Sequence, residues 1–217
     1  MKRSLFRATT SLTLGLLLAG VLAGCGGATT PDTGVLPTPS PTGAVDRQAA
    51  LGTCADGGAC AIGDIGPGGG MVFYDAGSEQ AWGRYMEAAP ADWNGGSTNQ
   101  KEVWCDKIGP TVALSESISS GFDNTKTMVA ACSLGAANTA ATYTGGGKTD
   151  WFLPSLAELT ELWKQRDKLG ISGSDYYWSS STSTSSDPYP ISLSFQDGRK
   201  NTLTHYEEEH VRPVRTF

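Results

Sequence analysis

Five cysteines, at positions 25, 54, 60, 105 and 132, constrain this chain more than any other feature, because the segment ending at the first decides the chemistry of the other four. Lys2, Arg3 and Arg7 precede an apolar run from Leu12 to Val21, and small residues follow up to Cys25. A basic start, a short apolar centre and a small-residue end are the pattern of a secretory signal, and the run is too short for a ~20-residue membrane span. An exported chain meets oxidising conditions, so the four remaining cysteines read as two disulfides with three possible connectivities. The ADGGA loop between Cys54 and Cys60 closes easily, which favours Cys54–Cys60 and leaves Cys105–Cys132. No CxxC or paired-histidine spacing supports a zinc site in their place.

Leu22-Ala23-Gly24-Cys25 resembles the lipobox of bacterial lipoproteins. The resemblance implies cleavage of residues 1–24, acylation of Cys25 by chains such as palmitate, and membrane attachment through that lipid. Two or three chains hold a protein firmly where one binds only marginally. Gly26 is not the aspartate that retains many such proteins at an inner membrane, which points to the outer membrane where the source has one, and otherwise to the outer face of the plasma membrane. Loss of Lys2, Arg3 and Arg7 takes the formal net charge from −6 to −9. With 18% charged residues and no basic stripe, nucleic-acid binding by electrostatics is excluded.

Residues 25–49 carry Gly, Pro, Thr and Ser with almost nothing to bury, and read as a disordered, partly polyproline stalk reaching at most about 70 Å at ~3.1 Å per residue. Residues 50–217 show no second linker and no repeat, so they read as one domain.

Within that domain Met71–Asp75 reads as a strand after the Gly68–Gly70 run, with Arg84–Ala89 as its partner. Asp123 or Asn124 suits the N-cap of a helix running through Met128 and Cys132. Ser155 with Glu158 forms a capping box, and Leu156, Leu159, Leu162, Trp163 and Leu169 make an apolar stripe that Gly170 ends. Tyr176–Ser180 is a strand; Ile191, Leu193 and Phe195 alternate inward with Ser192 and Ser194 outward; Asp197-Gly198 turns the chain into Lys200–Tyr206. Val211–Arg215 is a last strand, at an edge because of Pro213. The expected class is α+β, with mostly antiparallel strands, two main helices and disulfide stabilisation.

The blocks GDIGPGGGMVFYD (63–75), YMEAAPADW (85–93), DWFLPSLAEL (150–159), YYWSSST (176–182) and VRPVRTF (211–217) resemble, in order, the bacterial family typified by the C-terminal domain of a Legionella collagen-like adhesin. That resemblance implies a C-type-lectin-like fold related to the formylglycine-generating enzymes, and a role in surface binding with glycans as partners. The reactive cysteine pair of those enzymes is missing, since no cysteine follows Cys132, and the calcium-binding tripeptides of true C-type lectins have only incomplete echoes in Asp187-Pro188-Tyr189 and Trp93-Asn94-Gly95. No cofactor and no metal is therefore expected.

Gly145-Gly146-Gly147-Lys148-Thr149 mimics the end of a phosphate loop, but position 142 is Thr and Asp150-Trp151-Phe152 follows, so it reads as a plain loop. His205, Glu207 and Glu209 would share one face of a strand and invite a divalent ion, against the plainer reading of a solvated acidic edge. No GxSxG elbow occurs and both histidines lie in this tract, which leaves a hydrolytic triad without support. Trp151, Trp178, Tyr176 and Tyr177 are core candidates that would also suit a sugar-stacking surface. Arg212 and Arg215 read as structural, pairing with an acid such as Asp150. The run Ser179–Ser186 with Asp187 and Tyr189 is too polar for a core and too long for a tight turn. Asp187, Tyr189 and Trp178 are accordingly the expected ligand residues. Lys164, Arg166 and Lys168, with Arg199-Lys200, are the basic clusters. The expectation is a non-catalytic, lipid-anchored module binding an extracellular glycan or protein; a structural envelope lipoprotein and an enzyme on the formylglycine-generating fold are the alternatives.

Overall fold

The computed structural model describes residues 53–96, 101–110, 113–171, 173–183 and 188–217. The signal segment, Cys25 and the stalk lie outside these residues.

Two sheets carry the described part. The first holds β1 (Met71–Gln80), β2 (Gly83–Ala88) and β8 (Val214–Thr216) in the order β1-β2-β8, all antiparallel. The second holds β3 (Lys101–Val103), β7 (Glu208–His210), β4 (Tyr176–Thr182), β5 (Pro190–Ser194) and β6 (Lys200–Thr202) in the order β3-β7-β4-β5-β6. Only β4 and β7 run parallel there, meeting at Tyr177 and His210. Three helices accompany them: α1 (Gly121–Ala131), α2 (Ala136–Ala141) and α3 (Leu156–Lys164). The class is α+β with mostly antiparallel strands, as expected. Among the described residues no helix is long and apolar enough to cross a membrane.

β1 runs five residues beyond its expected end, because Asp75–Gln80 pairs back on β2 as a largely exposed hairpin arm with no apolar alternation to reveal it. Lys200–Tyr206 shrinks to Lys200–Thr202, and Val211–Arg215 to Val214–Thr216 on the edge of its sheet. α1 begins at Gly121, ahead of both expected caps. Asn124 is instead buried, its amide donating to the Ser115 carbonyl at 2.7 Å and accepting from the Ser115 N–H at 3.2 Å. α2 was not legible: it is short, and Ala136, Ala137 and Ala140 pack it without large side chains. α3 has the capping box as read, Ser155 Oγ accepting from Glu158 N and the Glu158 carboxylate accepting from Ser155 N at 2.8 Å. It ends at Lys164, and turns carry the chain to Gly170, whose φ of 64° is left-handed.

The core lies in two large clusters. One joins Phe73 and Met86 of the first sheet to Leu159 and Leu162 of α3 and to Tyr177, Leu193 and Phe195. The other gathers Trp104, Met128, Leu153, Trp178 and Val211 around the Cys105–Cys132 disulfide. A smaller cluster holds Val72 and Tyr85 beside the Cys54–Cys60 disulfide. Both pairings match the expected connectivity.

The serines of β4 and β5 correct the sequence reading. Ser179, Ser180, Ser181 and Thr182 are buried, and so are Ser192 and Ser194, which alternation placed outward. A buried hydroxyl is tolerated when it is hydrogen-bonded. Ser179 Oγ donates to Ile191 O and Ser181 Oγ to Ser115 O, both at 2.7 Å; Ser181 Oγ also accepts from Leu156 N, and Thr182 Oγ1 from Leu114 N. The polar run is thus the inner strand of a sheet covered on both faces, held to the loop at 113–117 and to the start of α3.

Candidate functional site

Of the three expected ligand residues, Tyr189 alone is shown at the surface. It is 42% exposed, and its backbone closes a ring with Ser183: Ser183 N donates to Tyr189 O at 2.9 Å and Tyr189 N to Ser183 Oγ at 3.1 Å. Asp187 lies outside the described residues. Trp178 is fully buried in the second core cluster, its indole N–H donating to Glu102 O at 2.7 Å, so its ring offers no face to a ligand and its assignment is withdrawn. Trp151 and Tyr177 are likewise core, as the sequence favoured. A groove of about 570 Å³ runs along Leu114, Ser115 and Glu116 to Lys200. Thr182 N donates to Leu114 O there, tying this rim to the end of β4.

The basic clusters are internally compensated. Lys164 pairs with Glu161 at 2.6 Å, Arg199 with Asp197 at 3.4 Å and Lys200 with Glu116 at 3.4 Å. The Arg166 guanidinium lies 4.8 Å from the Trp163 ring centre, and Lys168 reaches the Ile62 carbonyl.

The expected face of His205, Glu207 and Glu209 does not form, because β7 begins only at Glu208. His205 instead stacks edge-on against Trp104, while His210 is buried against Tyr177 with Nε2 3.5 Å from Asp175. Burial pushes the Glu209 carboxyl above its ordinary range. Among the described residues the cluster with metal-like spacing is Cys105, Asp106 and Cys132, and both of its sulfurs are committed to the disulfide. Gly145–Gly147 is a single 3-10 turn, a loop as read.

Arg215 pairs with Asp150, as the sequence suggested, and also with Glu87, which sequence reasoning missed. Glu87 is fully buried. Its carboxylate accepts from Gly68 N at 2.9 Å and from Gly70 N at 3.0 Å, and takes Arg215 Nη1 at 2.7 Å. This explains the glycine run: a Cβ at Gly68 would sit 2.6 Å from Glu87 Oε1, and one at Gly70 would run into the Ala88 carbonyl. Burial opposes the Arg215 charge, but the two carboxylates outweigh it and hold the guanidinium more firmly protonated than usual. Arg212 is buried near Tyr177 and Tyr143, and burial lowers its pKa.

Asp150 is the exposed end of this chain of charges, and it opens onto a cleft of about 310 Å³. Trp82, from the β1–β2 turn, and Phe122, from the first turn of α1, form aromatic walls; Asp123, Asp150, Ser119 and Thr216 supply polar groups. Ser119 has φ 70°, the left-handed value that non-glycine residues rarely adopt. Its backbone N–H and that of Gly121 donate to Glu158, so one buried carboxylate braces both the strained residue and the start of α1. On its other side Phe122 borders a second, more apolar cleft with Lys126, Val129 and Trp151.

These features define a disulfide-stapled α+β domain whose buried charges serve its scaffold and whose surface clefts lie between loops and helix ends. The chain belongs to the Lcl C-terminal domain family, which it matches over residues 73–215. That membership makes the domain an adhesin-like module. No curated protein matches the sequence.

Proposed function

We propose that the chain is a lipid-anchored binding module of a bacterial cell envelope, attached through Cys25 and holding an extracellular glycan without catalysis. Membership of the adhesin-like family carries this reading. It is supported by the exposed Tyr189 ring, which suits the apolar face of a sugar, and separately by the groove at Leu114–Glu116, where Ser115 and Glu116 bring hydroxyl and carboxylate groups. The formal charge of −9 after signal removal, with basic side chains already paired, disfavours sulfated polymers and favours neutral or basic ones. The lipidated chain in detergent micelles, applied to a glycan array with and without EDTA, tests it. Retention of neutral or amino glycans in both conditions is the expected result. Binding confined to sulfated glycans, loss with EDTA, or turnover of the bound polymer would each refute the reading.

A further inference from the structure

Resting on the glycan reading above, we propose that the cleft between Trp82 and Phe122 takes one amine-bearing sugar residue, a hexosamine with a free ammonium, from a polymer chain. At about 310 Å³ it lies at the low end of small-molecule sites, ~300–1,000 Å³, which suits one ring rather than several. Its aromatic walls match both the apolar face of a pyranose and a cation. The carboxylates of Asp123 and Asp150 match the ammonium and the neighbouring hydroxyls.

Two observations show that the cleft is held in shape. Asp150 is half-exposed, yet its Oδ1 is taken by Arg215, whose other arm is fixed on the buried Glu87; Oδ2 keeps its capacity to accept a ligand proton. A carboxylate clamped from behind loses less freedom when a ligand arrives. Ser119 lines the same wall in a strained backbone conformation, the only non-glycine residue with positive φ among the described residues, and such strain collects at ligand sites.

Lys126, from the neighbouring cleft on the other side of Phe122, places its ammonium 4.2 Å from that ring centre and 3.9 Å from Asp123 Oδ1, so this ring and this carboxylate are already arranged to meet a cation.

Titration calorimetry of the lipidated chain in detergent with a glucosamine oligomer, its N-acetylated counterpart and a lysine oligomer tests the site. The free-amine sugar should bind most tightly. Asp123→Asn and Phe122→Ala should each weaken it about three- to tenfold, as expected for a cation contact at a partly exposed site. Asp123→Asn changes an exposed side chain and should leave the melting temperature unaltered. Equal binding of the acetylated sugar or of the lysine oligomer would overturn the proposal. Wild-type affinity in both weakening variants would remove the site from this cleft while leaving the glycan reading intact; failure of every glycan on the array as well would remove both.

Discussion

Arg215 and Glu87, 128 residues apart in the chain, form a buried ion pair at 2.7 Å that joins β8 to β2 and, through the Gly68 and Gly70 amides, pins the loop preceding β1. The pair lies at opposing register positions of neighbouring antiparallel strands. Its outer end is Asp150, at the mouth of the Trp82–Phe122 cleft.

Removing one partner strands the other charge in the interior. Arg215→Met should therefore cost about 3–5 kcal/mol of stability, read by urea denaturation. Replacing both, as Glu87→Leu with Arg215→Met, should not restore it, because the Gly68 and Gly70 amides then lose their acceptor. A double variant as stable as wild type would show that the amides contribute little.

The two disulfides should differ in worth. Chain-entropy arguments assign about 2 kcal/mol to the short Cys54–Cys60 loop and about 3–4 kcal/mol to Cys105–Cys132, whose sequence separation is 27. Paired Cys→Ala variants compared by thermal denaturation should show the larger loss for Cys105 and Cys132, which also sit inside a core cluster. Equal losses would point to native-state packing rather than chain entropy as the source.

Glu158 should make stability fall with rising pH. Burial lifts its carboxyl from 4.5 to about 7, even though the backbone N–H groups of Ser155, Gly121 and Ser119 favour the ionised form. The folded state then holds a proton that the unfolded chain releases, so this contribution is complete below pH 4.5 and is lost as pH rises through 7. At 1.36 kcal/mol per pH unit the change amounts to about 3 kcal/mol. Glu158→Gln should be less stable at pH 5 but flatter between pH 5 and 8. An unchanged slope in that variant would assign the pH dependence elsewhere, for which Glu209, among the described residues, is another carboxyl raised by burial.

What the sequence by itself determined was local. The capping box of α3 needs residues three apart, the Cys54–Cys60 pair closes a six-residue separation, and the Asp197-Gly198 turn lies between adjoining strands, with Gly198 at φ 73°. Each depends on neighbours along the chain, so spacing alone makes it legible, and the strands and helices read in this way already carried the α+β class. The tertiary structure decided whatever depends on partners far away. Ser179–Thr182 reads as a polar excursion until Ile191, Ser115, Leu156 and Leu114 satisfy its hydroxyls and amides. Trp178 has the composition of a sugar-stacking ring and is core because β3 accepts its indole N–H. Glu87 gives no sequence signal at all, and the Trp82–Phe122 cleft is assembled from segments near 82, 120, 150 and 216 that periodicity cannot connect. Burial reverses the meaning of a polar residue, and only the assembled fold supplies the partners that make burial tolerable.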